Sequence, residues 1–71
     1  MDRAAGAAGY MLLAETHIHR TALTLLRAYG ARALSEARVW QRHFAETGEA
    51  AERLIWTRVA WEIRRRQRAA A

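Results

Sequence analysis

Glycine alone punctuates the middle of this chain. There is no proline, and Gly30 and Gly48 are the only glycines after residue 9. Between and around them nearly every residue is a good helix former. A glycine suits the position just past a helix end, where the backbone turns left-handed. The spacing predicts helices over about 9–29, 31–47 and 49–68. No segment alternates apolar and polar residues, so strands are not expected. Gly6 and Gly9 lie in an alanine-rich start, and each costs a helix roughly 1 kcal/mol relative to alanine. Residues 1–8 therefore either extend the first helix, with Asp2 as its cap, or fray. Residues 69–71 read as a frayed end. Whether the first two helices separate at Gly30 or continue as one bent rod stays open.

Size then limits what such helices can bury. Seventy-one residues make one small domain, and a domain of this length hides only roughly 60% of its unfolded surface. Small scaffolds add disulfides, a metal or oligomerisation, and a chain without cysteine has no disulfide to add. Hydrophobic residues reach 52%, yet 17 of them are alanine, which leaves 20 larger apolar side chains. The expected fold is all-α: a small two- or three-helix up-down bundle, completed by oligomerisation or a partner.

Helical periodicity assigns the faces. The first helix carries a stripe of Met11, Ile18, Ala22, Leu25 and Tyr29, widened by Leu12, Leu23 and Leu26. The second carries Ala33, Ala37, Trp40 and Phe44, extended by Leu34, with Val39 alone on the polar side. The third has Ile55, Val59 and Ile63 on one face, flanked by Trp56 and Ala60, while Leu54 and Trp61 project from nearly the opposite side. A helix with two apolar faces is buried on both or contacts two partners. Self-association or another protein is the favoured explanation. Packing of the third helix between the other two is the alternative. The proposed anchors are Leu54, Trp56 and Trp61, with Arg58, Arg64 and Arg65 as a basic rim, since Trp and Arg are enriched in interface hot spots. Trp40 and Phe44 are assigned mainly to the core.

Twelve arginines, no lysine and seven acids give a net charge of +5. Arg64, Arg65, Arg66 and Arg68 carry four of those charges, so the chain is near neutral with a basic tip. The tip favours phosphate or an acidic surface, and it also complements the negative end of a helix dipole. Nucleic-acid binding through these four arginines is the second functional expectation. A helix-turn-helix around Gly48 is disfavoured, because Glu49 and Glu52 would repel phosphate where a recognition helix meets DNA. Glu49–Arg53 and Glu62–Arg66 are i,i+4 pairs in the favourable order.

Catalytic and metal chemistry find little support. His17 and His19 point about 160° apart on a helix, so they cannot chelate one ion. Glu15 with His19, or His43 with Glu46, supplies two ligands where structural zinc needs four; the plainer expectation pairs one histidine with Glu15. The sequence offers one Ser, Ser35, and one Asp, Asp2, with no glycine-rich phosphate loop, so no enzyme, cofactor or metal is expected. The longest uncharged stretch, Ala4–Ala14, is too short for a membrane span of about 20 residues. An arginine- and tryptophan-bearing helix lying on an anionic membrane is a minor option.

From Ala22 to Ile63 the chain resembles small all-helical alphaproteobacterial proteins of unknown function. The residues that carry the resemblance are Tyr29-Gly30, Ala33, Ala37, Gly48-Glu49, Trp56 and Ile63. Ala31-Arg32 stands where an acidic pair usually follows the first glycine. The resemblance implies a helical bundle in a bacterial cytoplasm and carries no activity. The resulting expectation is a non-catalytic interaction module, bound to a second copy as a dimer or to a larger complex.

Overall fold

The computed structural model describes the backbone of residues 3–70 and the side chains of residues 15–70. Expectations that fall on Asp2, Met11, Leu12 and residue 71 lie outside the described side chains. The fold is all-α. Helix α1 spans Arg3–Tyr29, a single tight 3-10 turn covers Gly30–Arg32, α2 spans Ala33–Thr47 and α3 spans Ala50–Ala70. There is no strand among the described residues.

Both central glycines end helices in the left-handed conformation, Gly30 at φ 54° and Gly48 at φ 78°. At the second, the backbone amides of Gly48 and Glu49 both donate to the Phe44 carbonyl, the latter at 3.2 Å. Those bonds satisfy a carbonyl that the helix end would otherwise leave open. Gly30 separates α1 from α2, so the bent-rod alternative is out. The tight turn delays the second helix to residue 33 rather than 31. At the other end, alanine's high helix propensity carries α3 through residue 70, beyond the expected stop at 68.

Cross-helix bonds set the topology. Gln41 donates to the Thr57 hydroxyl at 3.0 Å, and Trp40 stacks on Trp56 with ring centres 5.9 Å apart. These contacts place α2 and α3 antiparallel about Gly48. Arg58 pairs with Glu15 and Gln67 donates to the Gly30 carbonyl at 3.3 Å, so later residues of α1 meet later residues of α3. The two helices run parallel, and the bundle is up-down-up.

The core consists of Ile18, Ala22, Ala33, Ala37, Val59 and Ile63, with Ala60 at its edge. Four of these seven are alanines, which let the helix axes approach closely but fill little volume. Leu25, Leu26, Leu34, Ile55 and Trp56 pack against the core from its margins. The backbone extends 46 Å in its longest direction, with a radius of gyration of 13.6 Å. A compact domain of this length would have a radius near 11 Å. Long helices around a thin core account for the difference.

The sequence-derived faces hold for Ile18, Ala22, Ala33, Ala37, Val59 and Ile63. Three aromatic assignments change. Trp40, expected mainly in the core, is 44% exposed. Tyr29, at the end of its stripe, is exposed where α1 stops. Trp56, expected as a partner anchor, is half-buried against the core and stacked on Trp40.

Candidate functional site

On the outward face of α3, exposed apolar side chains lie beside arginines that make no ion pair among the described residues. Seven residues are nearly two turns, so Leu54 and Trp61 lie about 20° apart around the helix. Both are 62% exposed, as their position opposite Val59 and Ile63 predicts. Arg65, one turn beyond Trp61, holds its guanidinium carbon 5.6 Å from the centre of the indole ring. That contact is a cation–π arrangement, and it keeps the ring in place at the surface.

The expected rim arginines differ in what they do. Arg58 is tied to Glu15 of α1. Arg65 donates to Glu62 at 2.9 Å while covering Trp61. Arg64 is exposed and makes no ion pair among the described residues. The basic tip is likewise divided. Arg66 donates to Glu62 through Nε at 3.0 Å and to His19 through Nη2 at 3.0 Å, and it is half-buried. Among the described residues, Arg64 and Arg68 of that cluster pair with no carboxylate while Arg65 and Arg66 do, so the four are not equivalent charges.

Glu62 organises this seam. It is buried between α3 and α1, seven residues after Ile55 and so on the margin of the core face. Hydrogen bonding from Arg65 is the main force holding its carboxyl below the usual carboxylate range. Burial opposes that shift, and the charges of Arg65 and Arg66 with the Arg66 hydrogen bond add to it. His19 Nδ1 lies 4.0 Å from the Glu62 carboxylate, with Arg66 bridging them. The expected Glu15–His19 pair is not formed, because Glu15 turns to Arg58 and His19 to Arg66. His43 packs edge-on against Trp40 and Phe44. Among the described residues, no three His, Cys, Asp or Glu side chains gather as a metal site would require, and no helix is long and apolar enough to cross a membrane.

No protein-family model matches this chain, nor does any curated protein or solved structure.

Two clefts lined by arginines without carboxylates open along α3. One, of about 310 Å³, is lined by Trp61, Arg64, Arg65 and Arg68. The other, of about 290 Å³, is lined by Arg38, Gln41, Arg42, Ala45 and Arg53. Sequence reasoning missed the second, because its arginines come from two helices and converge only when α2 folds back on α3. The one available signal was the i,i+4 spacing of Arg38 and Arg42 on the polar side of α2. Arg38, Arg42 and Arg53 make no ion pair among the described residues. The expected Glu49–Arg53 pair is absent from the structure, whereas Glu62–Arg66 is present.

Proposed function

We propose that this chain is a non-catalytic protein-interaction module whose partner seats on the outward face of α3. Leu54 and Trp61 are the apolar anchors, and Arg58, Arg64 and Arg65 form the polar rim. The observation that carries this reading is the exposure of two large apolar side chains on one face of a helix whose opposite face is already committed to the core. Full burial of such side chains is worth roughly 1.5–3 kcal/mol each, and the bundle forgoes most of it. Trp61 is also pre-positioned by Arg65, which lowers the ordering cost of using it at an interface. Trp56 is removed from the anchor set because Trp40 and the core already cover it.

The test compares wild-type protein with Leu54→Ala and Trp61→Ala. Folding stability should change by no more than about 0.5 kcal/mol, as for exposed positions. Proteins retained by the wild type from the native cell, or a self-association detected by light scattering, should be lost from Trp61→Ala. Identical retention and identical mass for wild type and both variants would remove the reading. Nucleic-acid binding by Arg64, Arg65, Arg66 and Arg68 is the weaker alternative, because Glu62 already engages two of the four.

A further inference from the structure

We infer that the partner segment on this face is an acidic amphipathic helix; the inference rests on the proposed interaction through Leu54 and Trp61 and names the chemistry of what covers them. The charges left without an ion pair beside Leu54 and Trp61 on the α2 side of the face are arginines. On α3, Arg53 precedes Leu54, and Arg64 and Arg68 follow Trp61 on the side facing α2. Across the groove, α2 contributes Arg38 and Arg42. None of these five makes an ion pair among the described residues. Glu15 and Glu62, the carboxylates bordering the face from the α1 side, are held by Arg58, Arg65 and Arg66. A ligand that covers Leu54 and Trp61 therefore meets guanidinium groups that its own anionic groups would neutralise.

A helix fits the spacing. Leu54 and Trp61 are separated by about 10 Å along α3, which is one heptad of a facing helix. Apolar residues seven apart on that helix would reach both anchors, and carboxylates beside them would reach the two clefts. A second copy docked face to face would bring together unpaired arginines of the same sign. A second copy offering its Glu46, Glu49 and Glu52 end supplies acid, but the large exposed apolar side chain there among the described residues is Leu54, beside the unpaired Arg53. Single-stranded nucleic acid would satisfy the arginines and could stack on Trp61, but it leaves Leu54 without a complement.

The probe is a displayed library of 21-residue helical peptides, with Leu at heptad-spaced positions and Glu, Gln or Lys varied at the flanking ones, selected against the full chain. Glu-rich peptides should be enriched. Binding of the best peptide should fall about tenfold or more in Trp61→Ala and in a combined Arg53→Gln, Arg64→Gln, Arg68→Gln variant. It should also weaken with rising salt. Circular dichroism checks that each variant is folded, and Arg20→Gln on α1 is the control expected to bind as wild type. Enrichment of Gln- or Lys-rich peptides that still need Trp61 would overturn the acidic inference and leave the interaction reading standing. Binders indifferent to both Leu54→Ala and Trp61→Ala, or no binders at all, would overturn both. A 20-nucleotide oligo-dT bound more tightly than any peptide would assign the face to nucleic acid. Sedimentation showing a dimer that Trp61→Ala dissolves would assign it to a second copy.

Discussion

Glu62 illustrates how one carboxylate is accommodated on the margin of a thin core. Its burial would raise its pKa, yet donors from Arg65 and Arg66 lower it. The folded state therefore binds this proton less readily than the unfolded state. Its contribution is fully present above the unfolded glutamate value of about 4.3 and is lost as pH falls through the lower folded value. Glu62→Gln should cost about 1–2 kcal/mol at neutral pH, discounted for the exposure of Arg65. Denaturant titrations should show this difference shrinking as pH falls from about 4.3. An equal loss at pH 3 and pH 7 would contradict the assignment. The i,i+4 spacing made the Arg66 pair visible in sequence. The carboxylate's burial and the third partner, His19, were not visible, because both depend on where α1 lies.

Helix ends give the clearest link from residue type to backbone. Gly48 sits just past α2 in the left-handed region, as its place between two helical patterns predicts, and a side chain added there would meet nothing within 4 Å. A substitution should therefore show conformational strain alone. Gly48→Ala should lower stability by about 1–2 kcal/mol, and Gly48→Asn by less. Thermal melts of the two variants would check the order, and equal loss would point to a steric cause instead. The start of α2 was harder to place. Arg32 makes no side-chain cap bond, so no N-cap residue marked it. The tight turn after Gly30 consumed two residues that propensity alone assigned to the helix.

Across the molecule, the fold sorts twelve arginines into different roles. Arg58, Arg65 and Arg66 stitch α3 to α1 or to its own surface, while Arg38, Arg42 and Arg53 crowd one cleft without acids. Removing a charge should then depend on place rather than on type. Arg66→Gln should destabilise by about 1–2 kcal/mol, because it leaves Glu62 with fewer donors. Arg42→Gln should be neutral or stabilising by up to about 0.5 kcal/mol, since it relieves like charge at a surface position. Urea unfolding of both would test the contrast, and equal losses would contradict it. The separation of these roles was not legible in sequence, where the arginines look alike apart from their run at residues 64–68.

Local rules determined the helices, their glycine stops, the buried alanine and β-branched stripes, and the outward placement of Leu54 and Trp61, because each depends on neighbours within a few residues. Tertiary structure alone decided that Trp56 turns inward onto Trp40, that Glu62 is shared by two arginines beside His19, and that arginines of α2 and α3 meet around one groove. Those outcomes depend on the direction and crossing of helices joined by turns, and side chains 16 and 47 residues apart in sequence meet only after the bundle has closed.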